Sequence, residues 1–122
     1  MKKWYLIIDD IRELDHGYFQ SDWYKGKNWS LAKNVKEAML LIEKHDCLPI
    51  NISFDHDLGV DSYNKELPSG YDFAQKIVDL DMNNQLSIPE YFDFRVHSDN
   101  PVGKINIESY INNYLAFKKK NK

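Results

Sequence analysis

Hydrophobic positions along the chain change their period several times, and the changes mark its elements. Trp4 to Ile8 is a continuous apolar run, the signature of a strand buried on both faces, and it stops at Asp9-Asp10. Ile50, Ile52 and Phe54 alternate with Asn51 and Ser53, a period-2 strand that gives way to Asp55, His56, Asp57 and Gly59. Tyr91 to Val96 predicts another strand, ending in His97-Ser98-Asp99-Asn100 with Pro101 and Gly103 beyond. Trp29 to Ala32 predicts a short one. Val35, Ala38, Met39, Leu41 and Ile42 mark the buried face of a helix capped by Asn34 and running to about His45. Phe73, Ala74, Ile77, Val78 and Leu80 mark a second helix, started by Ser69 and Asp72. A third carries Ile105, Ile107, Ile111, Tyr114 and Leu115, with Asn100 as N-cap and Pro101 in the first position. Residues 11–28 hold no sustained period, which predicts a long loop and makes it a candidate lid or ligand wall.

Strand, loop, strand, helix, strand, helix, strand, helix predicts an α/β fold with a parallel sheet, right-handed crossovers and strand order 2-1-3-4. Residues 1–122 are expected to form a single domain, with a flexible basic tail over 118–122. Ligands bind outside the carboxyl ends of the strands in such a sheet, so the three polar clusters should converge on one crevice.

Composition narrows the setting. The formal charge of −3 argues against bulk binding of nucleic acid, while leaving a small phosphorylated ligand open. The single cysteine, Cys47, has no internal disulfide partner and fits a reducing compartment. No apolar run approaches the roughly 20 residues of a membrane span, and Met1-Lys2-Lys3 precedes too few apolar residues for a signal peptide. The expected location is the cytoplasm, with no membrane partner.

The clusters carry the candidate chemistry. Asp9, Asp10, Asp55 and Asp57 would share one crevice, and two carboxylates about 4 Å apart repel by about 4 kcal/mol at an effective dielectric near 20. A divalent cation such as Mg²⁺ or Mn²⁺, a shared proton or a nearby arginine would each offset that. Arg12 offers a forked guanidinium for a phosphate, or else a salt bridge to Asp10 or Glu13. His97 beside Ser98 places an imidazole and a hydroxyl at a strand end, and with His56 it could share acid and base roles. The helix start at Asn100 presents free N–H groups to an anion, and Gly103 there clears space for close approach. Trp23, Tyr24, Trp29, Tyr18 and Phe19 read as core aromatics covering the sheet, and His16 and His45 as solvent-side residues.

Three motifs together, D-D-x-R at Asp9, Asp10 and Arg12, S-F-D-H-D-L-G at Ser53 to Gly59 and H-S-x-N-P-x-G at His97 to Gly103, resemble the cyclic-phosphate-processing receiver-like domains. The resemblance implies a three-layer, flavodoxin-like Rossmannoid whose first helix is replaced here by the long loop. It also implies processing of the cyclic phosphate of a nucleotide or an RNA end. The expected site then has Asp9, Asp10 and Asp55 as metal ligands, and Arg12, Ser98, Asn100 and Gly103 against the phosphate. His97, His56, Asp55 and Asp57 are its expected catalytic groups. Ordinary receivers place a Mg²⁺-binding acidic pair after the first strand and a phosphoacceptor aspartate at the end of the third; Asp9, Asp10 and Asp55 occupy similar places. The chain departs from them in lacking a fifth strand with its lysine and in adding His56 and His97, which suits hydrolysis better than phosphorelay. A non-catalytic module binding a phosphorylated ligand or protein is the alternative.

Overall fold

A computed structural model describes residues 2–121 and contains strands β1 (Tyr5–Ile8), β2 (Trp29–Ala32), β3 (Asn51–Phe54) and β4 (Asp93–Val96). Its helices are α1 (Val35–His45), α2 (Gly70–Met82) and α3 (Pro101–Lys120). All neighbouring strands pair in parallel, in the order β2-β1-β3-β4. The chain steps from β1 to β2 in one direction and from β2 through β3 to β4 in the other. Right-handed crossovers in opposite directions lie on opposite faces of a sheet, which separates the connection after β1 from the three helices.

The packing follows that division. Leu6, Ile8, Ala32, Ile52, Phe54 and Val96 share one face and bury against Val35, Ala38 and Ile42 of α1, Phe73 and Ile77 of α2, and Ile107 and Ile111 of α3. On the other face Ile7 and Leu31 pack against Phe19 and Tyr24 from the long loop. Two 3-10 turns, Gly17–Gln20 and Asp22–Tyr24, bring those two side chains down. The loop therefore supplies the third layer of a receiver-like fold, and its polar cost falls on the polar positions of β3. Asn51 and Ser53, on the side of the period-2 pattern that would ordinarily meet water, are buried beneath it.

Helix starts match their sequence signals. Asn34 Oδ1 accepts from the Glu37 amide at 2.9 Å, Ser69 and Asp72 form a reciprocal capping box, and Asn100 Oδ1 accepts from the Gly103 amide at 2.9 Å. Two boundaries move. β4 begins at Asp93 because Tyr91 turns at φ 66°, and Trp4 precedes β1 with its indole donating to the Cys47 carbonyl at 3.0 Å. In the basic tail α3 continues through Lys120, and Lys118 Nζ lies 2.9 Å from an Asp81 carboxylate oxygen. Lys122, the last residue of that tail, and Met1 lie outside the described residues. No helix among the described residues is long and apolar enough to cross a membrane.

Candidate active site

The parallel ladder runs one residue past the strands, with Asp9 N–H donating to the Ala32 carbonyl at 3.0 Å, Asp55 N–H to Ile8 at 2.9 Å and His97 N–H to Phe54 at 2.9 Å. Register alone thus sets Asp9, Asp55 and His97 side by side across β1, β3 and β4. Alternation sends all three side chains to the face covered by the loop. The row crosses the point between β1 and β3 where strand order reverses, the place where such sheets bind ligands. One ligand atom from each of the three lies within 4.8 Å of the others, a group that could hold a metal ion.

Asp9 is fully buried and saturated. Its Oδ1 accepts from the amides of Ile11 and Arg12, each at 2.8 Å, and its Oδ2 from His97 Nε2 at 2.8 Å and Arg12 Nη1 at 3.0 Å. Burial pushes the carboxyl up, but those four donors outweigh it and hold Asp9 well below the ordinary carboxylate value. His97 is equally enclosed: its Nδ1 meets Ser53 Oγ at 2.7 Å, and Ser53 Oγ meets the Tyr24 hydroxyl at 2.7 Å. Phe19 closes the ring edge-on at 5.0 Å between centroids. With Asp9 as an acceptor, the chain of bonds is satisfied when Tyr24 donates to Ser53, Ser53 to Nδ1, and Nε2–H to Asp9. A buried relay of four side chains fixes Asp9, and through Asp9 it fixes Arg12.

Arg12 does not take Asp10 or Glu13, the partners its sequence position suggested. Its second nitrogen, Nη2, reaches Asp99 Oδ2 at 2.8 Å, and that carboxylate is exposed. Asp55 behaves unlike Asp9. Its side chain accepts no hydrogen bond among the described residues, and Arg12 Nη1 stays 3.9 Å away. Burial first, and the neighbouring Asp9 charge second, push its carboxyl up to about 6. Asp10 adds a second unmet demand, because its Oδ1 is buried without any hydrogen-bond partner among the described residues. Both carboxylates open on one cleft of about 580 Å³, whose wall also includes Arg12, Asp57, Ser98 and Asp99. A buried oxygen lacking a donor and a carboxyl raised by burial are what a bound cation would satisfy, so this donor set fits a divalent ion with hard oxygen ligands.

The second and third motifs meet on the other side of the crevice. His56 Nδ1 lies 2.9 Å from Asp57 Oδ1, and Asn100 Nδ2 donates to Asp57 Oδ2 at 3.3 Å. A Cβ on Gly103 would stand 2.4 Å from the His56 ring, so the glycine makes room for that imidazole and not for an incoming anion. The Asn100 side chain is likewise occupied as the N-cap, and Ser98 Oγ accepts from the Asn100 amide at 3.1 Å while facing the cleft. His56 and His97 share no hydrogen-bond partner among the described residues: one packs on α3, the other lies under the loop.

The family described as "Cyclic-phosphate processing Receiver domain" matches residues 4–113. The chain belongs to this family. No curated protein and no solved structure matches it. As a receiver domain of the cyclic-phosphate-processing family it carries all three motif clusters at one sheet end, but the roles inside the clusters are unequal. Of the acidic pair, Asp9 is spent on the buried relay and Asp10 keeps a free oxygen.

Sequence reasoning missed three contributors. Ser53 entered only as an alternating strand position within a motif and Tyr24 as a core aromatic, yet they complete the relay; the signal was Ser53 sharing strand parity with Asp55. His16 is exposed, as its solvent-side reading has it, and it also lines the cleft, with its Nδ1 accepting from the Tyr18 amide at 3.0 Å. That bond leaves Nε2 as the protonated nitrogen, a donor suited to an anionic ligand. Nothing in its local sequence marks this, because the loop brings it there.

Proposed function

We propose that this cleft hydrolyses a cyclic phosphodiester on a nucleotide or RNA end: water adds to phosphorus, one ring P–O bond breaks, and the freed oxygen takes a proton. The observation carrying the reading is the pairing of Asp10, with its partnerless buried oxygen, and Asp55, with its raised carboxyl, in a cleft that also holds the Arg12 guanidinium. Asp10 and Asp55 are the residues that would hold a Mg²⁺ or Mn²⁺ ion. Such an ion, when bound, offsets the two carboxylates and polarises a phosphoryl oxygen.

The chain's own groups do the rest. Arg12, steered by its bonds to Asp9, presents its guanidinium edge to the phosphate, and an anionic ligand displaces the exposed Asp99 carboxylate from Nη2. Ser98 Oγ and His16 Nε2 donate from the cleft wall. We assign proton transfer to His56, whose Nδ1 is held by the cleft residue Asp57 and whose Nε2 has no partner among the described residues. His97, with both ring nitrogens engaged and no exposure, acts by holding Asp9. The test is turnover of 2′,3′-cyclic nucleotides by the wild type against Asp55→Asn and His56→Gln, each checked for an intact fold by circular dichroism. Both substitutions should lower kcat at least about 100-fold, His56→Gln by removing the acid or base and Asp55→Asn by removing a carboxylate that would hold the ion. Wild-type turnover retained in both would overturn these roles.

Complete burial of His97 favours a second reading, in which the domain binds a phosphorylated ligand without converting it. That reading expects a measurable Kd for a cyclic nucleotide with no product at any enzyme concentration.

A further inference from the structure

A second cleft, also of about 580 Å³, opens beside the first along the free edge of β4. Tyr18 stands between the two. The residue is 45% exposed and lines the second cleft, while its ring centroid lies 5.9 Å from the Arg12 guanidinium carbon of the first. The floor is a strand edge. Asp93 N–H and His97 N–H bond to β3, at 3.1 and 2.9 Å, so the alternation of a parallel ladder turns the amide and carbonyl groups of Phe94 and Val96 outward into the cleft. Neither residue's backbone finds another partner among the described residues.

Two cations complete the wall. Lys104 lies in the first turn of α3, where the helix dipole disfavours a positive charge, and it makes no ion pair among the described residues. Arg95 is half-exposed and only loosely paired, 3.8 Å from an Asp93 carboxylate that already accepts from the Trp23 indole. One turn further along α3, away from the first cleft, Glu108 places a negative charge on the wall.

An exposed aromatic face, outward amide donors and carbonyl acceptors, and cations at the near end match a base, its hydrogen-bonding edge and a phosphodiester in turn. We infer that the second cleft seats the nucleotide on the 5′ side of the cyclic phosphate, making the substrate a nucleic-acid end and not a free cyclic mononucleotide. This rests on the phosphoesterase reading of the first cleft. Glu108 limits the site to one such nucleotide, since a further phosphate would run toward its carboxylate. The inference is compatible with the formal charge of −3, because it asks for two local cations and no basic track.

The experiment compares adenosine 2′,3′-cyclic phosphate with the dinucleotide and trinucleotide of adenosine ending in the same cyclic phosphate. Kd comes from calorimetry and kcat/KM from phosphorus NMR, for the full chain, Lys104→Gln and Tyr18→Ala. The wild type should bind the dinucleotide about 10-fold more tightly than the mononucleotide, at the low end of what one stacked base contributes. The trinucleotide should add nothing. In each variant the ratio of mononucleotide to dinucleotide Kd should fall to about 2 or less, and Lys104→Gln removes a charge the helix start disfavours, so folding is not at risk. A wild-type ratio near 1, or a ratio that survives both substitutions, overturns the second cleft. Dinucleotide preference in binding without turnover keeps the second cleft and overturns the phosphoesterase, while no binding and no turnover of any of the three overturns both.

Discussion

Asp9 and Asp55, far apart in sequence and unlike in role, show how neighbours set a carboxylate's chemistry. They stand side by side at the ends of paired strands, yet among the described residues four donors meet the Asp9 side chain and none meets that of Asp55. Asp55 keeps its proton in the folded state up to about pH 6, against an ordinary 3.8. Below 3.8 folded and unfolded chains are both protonated there and the residue is neutral for stability. Between 3.8 and 6 only the unfolded chain ionises, so stability falls as pH rises, and above 6 the full penalty of about 3 kcal/mol is present. Asp55→Asn should therefore raise stability by about 1–3 kcal/mol at pH 8 in chelator, with no gain at pH 3.5, as read from urea denaturation. Added Mg²⁺ should stabilise the wild type and not the variant. Ser53→Ala tests the other side of the row. It strands the Tyr24 hydroxyl and His97 Nδ1 in a closed space, so it should cost about 1–3 kcal/mol and shift the imidazole nitrogen resonances of His97 away from a single Nε2–H tautomer.

Among the elements, the helix ends carry information that the sequence states openly, and the loop carries information that it does not. Asn34, Ser69 and Asn100 could be read as caps because capping needs only a side-chain oxygen and a nearby amide. The end of α3 has a partner that is remote in sequence. Lys118 and Tyr114 reach across to Asp81 of α2, with Lys118 Nζ at 2.9 Å and the Tyr114 hydroxyl at 2.5 Å from its carboxylate oxygens, and no local pattern announces that. Burial raises the Asp81 carboxyl, but these donors outweigh it and leave it lowered, while burial and the same bond push the Tyr114 hydroxyl up to about 12. A lowered carboxyl adds stability above its ordinary value and loses it as pH falls through the folded value. Tyr114→Phe should cost about 1.5–3 kcal/mol at pH 7, the range for a hydrogen bond to a charged group, and less in acid, measured by urea denaturation across pH.

At the scale of the whole molecule, strand order explains both what was legible and what was not. Parallel topology, order 2-1-3-4 and convergence of three clusters follow from periodicity and handedness, and the structure has them. The side to which each residue points depends on the unhelical third layer. Because residues 9–28 cover one face, Ser53 and His97 are buried and His16 is delivered to the cleft, whereas His56 leaves the row for the N-terminus of α3. The hydrophobic pattern placed both histidines at strand ends, but only the covering loop makes one a buried strut and leaves the other with a ring nitrogen that has no partner among the described residues. The same topology leaves β4 as a free edge next to the cleft.

The central claim is that the Asp10–Asp55 cleft opens a cyclic phosphodiester with a divalent cation in place. Phosphorus NMR of the wild-type protein with an RNA dinucleotide ending in a 2′,3′-cyclic phosphate, run in Mg²⁺ and again in chelator, tests it most directly. The account predicts that the cyclic resonance is replaced by that of a 2′- or 3′-monoester in Mg²⁺ and persists in chelator. A cyclic resonance unchanged in Mg²⁺, or converted equally fast in chelator, would contradict it.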